Sequence, residues 1–377
     1  MKNDIMTTRV LHIVGQMNRA GAETMLMNLY RNIDRNFVQF DFVVFNSSKG
    51  DYDDEISSLG GKIFKFPMSN PFLRMFALYR FLKKNREYKI VHSHTLFSSA
   101  MHLSSAIFAR VPIRIAHSHN TSDVKRGLIL DSLYQRLSRV VINMSANYYF
   151  ACGLKAGDYL FNSSRKITYL PNSVDVAKIV DLAANNQKYL DKEFTLSKDV
   201  LKIVQIGRLE EVKNPFFTIQ IARELDRKGV RFMLFYVGQG CLDTKLNTEI
   251  KSNGLENSVR LVGLRSDIPE LMAGADILLM PSLYEGFPVV LVEAQSAGLK
   301  CLVSDGVSQE VDLGVGLVHF ASLSSSEVLW MEKLLEVSQV EGLPHYQREN
   351  KLRNMGYDIQ ASVVRLQQAY MEMLVNA

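Results

Sequence analysis

The stretch ADILLMPSLYEGFPVVLVEAQSAG, Ala275 to Gly298, contains a strand, a loop and a helix in one line of text. ADILLMP is a short unbroken apolar run, the pattern of a strand buried on both faces, and it ends near Pro281. SLYEGF reads as the loop, and Pro288 as a residue near the first helical position. Outward from this stretch the same alternation fills the chain. RVLHIVG, FDFVVF, KIFKF, KIVHSH, IRIAHSH, YYFAC and ITYLP come first, then LKIVQIG, RFMLFYVG, SVRLVG, ADILLMP, KCLVSD and GLVHF. Each run is followed by a segment long enough for a helix. That order predicts α/β architecture with doubly wound parallel sheets covered on both faces.

A polar stretch around LAANNQKYLDKEF separates the two series, and 377 residues suit two domains better than one core. We place the domains at 1–175 and 176–355. The last helical pattern, 356–377, has no strand partner and is expected to pack back on the first domain. At 47% hydrophobic and 22% charged residues, disordered and fibrous classes are excluded. The apolar run Val10–Val14 near the start is too short for a signal-peptide core or a membrane span, so a cytoplasmic protein is expected. Cys152, Cys241 and Cys301 lack any metal spacing and read as buried thiols of a reducing compartment.

Charge is uneven. Residues 1–190 hold 25 Lys and Arg against 14 Asp and Glu, whereas residues 191–377 hold 19 against 25. A basic half suggests a polyanionic partner. Without finger spacing, RNP-type aromatics or a Lys/Arg block, nucleic acid is not expected; an anionic membrane surface or an anionic substrate fits better.

In doubly wound folds ligands bind beyond the carboxyl ends of the strands. After the first strand, Gly15 and Gly21 bracket a loop, with a helix beginning near Ala22; backbone amides there could approach an anion, or the glycines are turn chemistry only. After LKIVQIG come Arg208 and Lys213, just ahead of Pro215 at a helix start. These two cations could neutralise a diphosphate without a metal, or pair with Glu210 and Glu211 as a solvated loop. In the opening stretch Glu285 lies in the loop and Glu293 about one and a half turns into the helix. Eight residues of pure helix would span ~12 Å, so the two carboxylates could grip opposite ends of one extended, hydroxyl-rich ligand. The amides of Gly286, Phe287 and Val289 would face an anion between them. An acidic first helical turn is the plainer alternative, but it explains Glu293 poorly among apolar neighbours.

With these residues in view, EGFPVVLVE (Glu285–Glu293) resembles the Glu-x7-Glu signature of retaining glycosyltransferases of family 4, which have the GT-B fold. AGAE (Ala20–Glu23) is similar to that family's Gly-Gly-x-Glu loop, with Ala20 in place of the first glycine. VHSH (Val91–His94), PNSVD (Pro171–Asp175), GRLEEVKNP (Gly207–Pro215), VGQG (Val237–Gly240) and GLRSDI (Gly263–Ile268) match in order along nearly the whole chain. Among its branches the chain looks most like those that build capsular and exopolysaccharides. The resemblance implies two Rossmann-like domains facing each other across a cleft. It implies transfer of a sugar, with retention, from a nucleotide-diphosphate donor (UDP-sugar first, GDP-sugar second) to a hydroxyl of a lipid-linked saccharide or other glycan. Glu293 would hold the ribose; Glu285, with the Phe287–Pro288 backbone, the sugar; Arg208 and Lys213 the diphosphate, with the Gly21 loop closing on it. Leu264 and Arg265 would line the base. His119 would stand near sugar and acceptor, with His117, Asn120 and Asn172 on the acceptor side.

His117 and His119 share one face of a strand, and a metal site would need a third ligand that no spacing supplies. No cofactor or metal is expected. His92 and His94 read as strand-end packing and hydrogen bonding. Asp51-Tyr52-Asp53 reads as a solvated acidic loop. PFLRMFALYRFLKK, Pro71 to Lys84, is amphipathic and basic; it reads first as a crossover helix packed on the core, and second as a face on anionic lipid at the inner membrane surface. Two other functions stay open: a sugar-nucleotide epimerase of similar fold, which would turn over donor alone, and a non-catalytic sugar-nucleotide-binding subunit.

Overall fold

The computed structural model describes residues 7–119, 129–161 and 164–377. The chain forms two compact units, Met1–Ser173 with Asp358–Ala377, and Val174–Tyr357. The first carries β1 (Thr8–Ile13), β2 (Val38–Val44), β3 (Ile63–Lys65), β4 (Ile90–Ser93), β5 (Ile113–Ser118), β6 (Tyr148–Ala151) and β7 (Ile167–Tyr169). The second carries β8 (Leu201–Ile206), β9 (Phe232–Val237), β10 (Val259–Gly263), β11 (Ile277–Met280), β12 (Lys300–Ser304) and β13 (Val318–Ala321). Every apolar run named above is a strand. Both sheets are wholly parallel, in the orders β3-β2-β1-β4-β5-β6-β7 and β10-β9-β8-β11-β12-β13. Each order therefore reverses once, between β1 and β4 and between β8 and β11, and such a switch point is where doubly wound sheets bind ligands.

The sheets are buried on both faces, as continuous apolar strands require. β2 is buried along its whole length, Asp41 included. That carboxylate is satisfied by Arg9 through two bonds of 2.5 Å, by Tyr88 at 2.8 Å and by the Lys62 amide at 2.7 Å. The last helix, Ile359–Val375, belongs to the first unit, where Ile359, Val363, Leu366, Tyr370 and Met373 join the core cluster of Val10, Met25 and Phe40.

Local details add to or differ from the sequence reading in five places. Pro288 is the N-cap of the helix Val289–Ala297, one residue earlier than expected, and the first helix begins at Gly21. Cys152 and Cys301 are buried but Cys241 is exposed, because it sits in the turn after β9 and not on a packed element. Asp51 is exposed, whereas Asp53 is 8% exposed and faces Lys65 at 3.1 Å, so the acidic loop is solvated only in part. The helix Pro71–Lys84 buries just Leu78 and Leu82; Phe72, Leu73 and Phe76 stand exposed.

Candidate active site

In the second unit the loops after β8, β9 and β11 are packed backbone to backbone. Gly207 and Gly238 both have φ in the glycine region, +145° and +139°. A Cβ on Gly238 would lie 2.0 Å from the Gly207 carbonyl oxygen, and one on Gly207 would lie 3.0 Å from Lys213 Cε. Only glycines allow this closeness, and it lays the Lys213 side chain across the end of β8. A short turn, Glu211–Lys213, precedes the helix Pro215–Arg227, which starts with Pro215 as expected. Gln205 donates to the Lys213 carbonyl at 2.7 Å, and the Leu283 amide donates to the Val212 carbonyl at 2.8 Å. The loop after β11 is thereby tied to the loop after β8, across the switch point.

The result is an ion pair: Lys213 Nζ lies 2.5 Å from Glu285 Oε1, with both side chains mostly buried. Of the two partners that a plain charged loop would have supplied, only one is used. Arg208 pairs with Glu210 at 2.7 Å and is more than half exposed, but Lys213 reaches across to Glu285 and not to Glu211. Gly286, Phe287 and Pro288 carry the chain into the helix Val289–Ala297, with Phe287 stacked on Tyr357. The amide of Val289 and its neighbours forms the positive end of that helix. Glu293 shares with Val290 and Ala297 the less buried stripe of an otherwise buried helix.

Leu264 is exposed after β10, but Arg265 is already engaged. Its guanidinium holds Asp267 at 2.6 Å and Glu193 at 2.7 Å, and those bonds raise its pKa. In return the bond from Arg265 holds Asp267 down at about 2. The Arg265 fork therefore serves this cluster, while Leu264 stays exposed.

In the first unit Gly21 opens the helix Gly21–Asn32, with open space where a Cβ would be. Asn172 is buried just before the end of the unit at Ser173, and Asn120 lies outside the described residues. His117 and His119 stack with ring centres 4.0 Å apart at the end of β5. The spacing argument against a third metal ligand does not hold in space. His94 joins His117 and His119, and His12 joins His92 and His94, each trio with one ring nitrogen apiece within 4.8 Å. His12 carried no signal beyond being a lone polar residue in RVLHIVG. It meets the others because the sheet order sets β1 beside β4, with His12 in register with His92. The same order puts β4 beside β5. Burial drives His12 and His119 down to about 3 and His92, His94 and His117 well below the usual imidazole range, so all five are neutral.

Family models match both halves: Glycosyltransferase Family 4 over residues 19–178 and Glycosyl transferases group 1 over residues 186–313. The putative glycosyltransferase EpsF of Bacillus subtilis is 38% identical over 372 residues, covering 96% of each chain. The UDP-Gal:alpha-D-GlcNAc-diphosphoundecaprenol alpha-1,3-galactosyltransferase of Escherichia coli is 27% identical over 325 residues, covering 80% of each. Among solved structures, Anabaena HepE in complex with UDP-glucose superposes with a TM-score of 0.73 at 18% identity, covering 98% of this chain and 100% of the other. WaaG, a glycosyltransferase involved in lipopolysaccharide biosynthesis, gives 0.65 at 13% identity over 96% and 99%. Two parallel-sheet units, the strand-end loops of the second and the match along the whole chain agree: this protein belongs to glycosyltransferase family 4 and has the GT-B fold.

Proposed function

We propose that the protein transfers a hexose, with retention, from a UDP-sugar to a hydroxyl of a lipid-linked saccharide in the synthesis of a surface polysaccharide. The observation that carries this reading is the Lys213–Glu285 pair beside the start of the helix Val289–Ala297. It sets a fixed cation for a diphosphate oxygen next to a carboxylate suited to sugar hydroxyls. Arg208, the more exposed cation of the same loop, completes the clamp, and Glu293 takes the ribose. In the transfer the bond from the anomeric carbon to the diphosphate oxygen breaks, and the diphosphate leaves with the electron pair. The acceptor oxygen bonds to that carbon on the face just vacated and gives its proton to the departing diphosphate. Lys213, Arg208 and the helix-start amides stabilise the charge that develops on the leaving group, so no metal is needed there. Relatives named for diphosphoundecaprenol-linked substrates support a lipid-linked acceptor. Thermal-shift titration with UDP-, GDP- and ADP-sugars, followed by product analysis with a polyprenyl-diphosphate saccharide, tests the reading. Stabilisation by a UDP-sugar and a product with retained anomeric configuration are expected. If no nucleotide-sugar stabilises the protein, the donor site is misassigned. An epimer from donor alone, or binding without transfer, would replace the transferase reading.

A lipid-linked acceptor has to be met at a membrane, and we propose that the first unit meets it through an exposed apolar face. Among the described residues no helix is long and apolar enough to cross a bilayer. On the helix Ile129–Ser145, however, the buried face includes Ser138, Ile142 and Ser145, while Leu133, Tyr134, Leu137, Val140, Val141 and Met144 stand exposed. Phe72, Leu73 and Phe76 extend this apolar surface onto the helix Pro71–Lys84, and Phe108 onto the helix Ser99–Phe108 packed between the two. Arg74, Arg80, Lys83, Lys84, Arg136 and Arg139 accompany them, against a single acid, Asp131. Exposed apolar side chains ringed by cations fit the interface of an anionic bilayer.

A further inference from the structure

At the switch point of the first unit, five imidazoles and a phenol form two hydrogen-bonded rows. In one, Tyr370 Oη lies 2.8 Å from His92 Nδ1, and His92 Nε2 lies 3.2 Å from His117 Nδ1. In the other, His12 Nδ1 lies 3.0 Å from His94 Nε2, and His94 Nδ1 lies 2.8 Å from His119 Nε2. The ring centres in the second row are 5.2 and 5.1 Å apart. The excess over the nitrogen distances is what two ring radii supply, so each contact runs along the line of centres. A bound cation would need lone pairs converging on one point about 2 Å from each nitrogen. Here the nitrogens face one another in pairs at hydrogen-bond distance instead.

Proton counting makes each row directional, and the surroundings of its two ends choose between the directions. A neutral imidazole has one N–H and one lone pair, so every ring in a row must point the same way. Tyr370 is fully buried and its hydroxyl is hydrogen-bonded to His92; unless it donates there, its proton is left without that bond. In the direction that satisfies this hydroxyl, Tyr370 donates to His92 and His92 donates through Nε2 to His117, whose proton is then on Nε2, the buried and unpartnered end of that row among the described residues. In the second row both outer nitrogens, His12 Nε2 and His119 Nδ1, have no partner among the described residues. His12 lies between Phe40 and Phe42, with ring centres 4.2 and 5.6 Å away. One end of the row must carry an unpartnered N–H; His12 is fully buried inside the sheet, whereas His119 is half-buried at the end of β5, so the proton of His12 sits on Nδ1 and the row reads outward from there.

We propose that His12 and His94 are positioning residues: their directional hydrogen bonds fix His119 with its proton on Nδ1, so that it meets substrate as a hydrogen-bond donor and not as a general base. This rests on the reading above only in placing substrate at His119; the tautomer itself is independent of it. It agrees with a transfer in which the acceptor proton goes to the leaving diphosphate. Burial of all five rings keeps the rows neutral near pH 7.

Long-range 1H–15N correlation on protein labelled with 15N-histidine resolves the tautomers, since the chain has eight histidines. Protons on Nδ1 are expected at His12, His94 and His119, and on Nε2 at His92 and His117. In His12→Phe the row loses its fixed end, His94 and His119 populate both tautomers, and kcat for transfer drops about tenfold with the donor KM unchanged. His12→Gln, whose amide can donate to His94, restores a single tautomer and the rate. Tyr370→Phe, a change of one oxygen, is expected to mix the tautomers of His92 and His117 and to leave the other row alone. The proposal is overturned if wild-type His119 carries its proton on Nε2, or if neither Phe variant changes a tautomer. It is also overturned if the purified protein holds a stoichiometric transition metal on these rings. If the tautomers are as stated and no nucleotide-sugar is turned over, the proposal stands and the transferase reading falls.

Discussion

The two switch points of this molecule gather polar side chains in opposite ways. In the second unit the polar groups are charged, sit on loops beyond the strand ends and keep some solvent contact; Lys213 and Glu285 are 16% and 19% exposed. In the first they are neutral rings, and three of them, His12, His92 and His117, lie within the strands at 1% exposure or less. A loop can bring two opposite charges together while water still reaches them. A strand inside a sheet offers no water, and the groups it carries have to be uncharged and bonded to one another. The same topology thus yields a charged, partly solvated pair at one switch point, where we propose the diphosphate binds, and neutral hydrogen-bonded rings at the other.

Acid should break this contrast most visibly. The five rings have folded-state pKa values below that of the unfolded chain, about 6.5, with His12 and His119 at about 3. Below pH 6.5 the unfolded state binds protons that the folded state refuses, so stability falls with pH from about 6.5 down towards 3. At pH 5 a ring held at about 3, as His12 and His119 are, costs about 2 kcal/mol, and His92, His94 and His117 act in the same direction. The first unit is expected to be the first to lose stability as the pH falls below about 6. Trp330, the single tryptophan, is buried in the second unit and donates to the Ser322 carbonyl at 2.8 Å, so its emission reports on that unit alone. Far-UV circular dichroism should change at higher pH than Trp330 emission. Coincident transitions would show that the neutral rows do not set the acid limit.

Charge at the other switch point is sharpened by Lys213→Ala and Glu285→Gln. Removing a preorganised donor from a developing negative charge costs about 10²–10³ in kcat, and Lys213→Ala is expected to fall in that range in steady-state transfer assays. Glu285→Gln keeps the size and one acceptor oxygen but no longer holds Lys213 by charge. It should lower kcat/KM less than Lys213→Ala, with donor binding weakened in the thermal shift. Equal activity of Lys213→Ala and wild type would remove the diphosphate clamp from consideration.

The third comparison divides function between the units. Leu137→Asp with Met144→Asp places two charges in the exposed stripe of the helix Ile129–Ser145. Co-sedimentation with anionic vesicles should weaken about tenfold, as expected when two apolar side chains no longer enter the interface. The UDP-sugar thermal shift should stay unchanged. Unchanged sedimentation would return this face to the status of bare surface.

These contrasts also show what the sequence could convey. All the strands were legible, because a strand buried on both faces leaves a continuous apolar run and both sheets are of that kind. Lys213 and Glu285 were legible as strand-end residues, but their pairing was not. Glu211 is nearer along the chain, and only the hydrogen bond from Leu283 to Val212 makes Glu285 the nearer in space. His92, His94, His117 and His119 were visible as pairs. That they form rows with His12 and Tyr370 depends on the order of β1, β4 and β5 and on the return of the final helix, neither of which a local pattern contains. The helix Ile129–Ser145 is the reverse case. Periodicity reveals that a helix has an apolar side, and says nothing of whether that side meets the core or the solvent.

The smallest expected effect lies in the turn that aims Lys213. Asn214 has φ 51° and ψ 47°, the left-handed conformation, between the turn Glu211–Lys213 and Pro215. Asparagine tolerates this region better than most residues and glycine better still, whereas a Cβ without a polar side chain meets a penalty of roughly 1–2 kcal/mol. Asn214→Ala should therefore lower the melting temperature by a few degrees, and Asn214→Gly should change it little. Because Lys213 immediately precedes this residue, relaxing the turn in the alanine variant would also move its ammonium relative to Glu285. The UDP-sugar thermal shift should shrink in Asn214→Ala and persist in Asn214→Gly. If both variants bind donor like the wild type, the aim of Lys213 is set by Gln205 and the Gly207 backbone alone, and the strained turn contributes stability without contributing to the site.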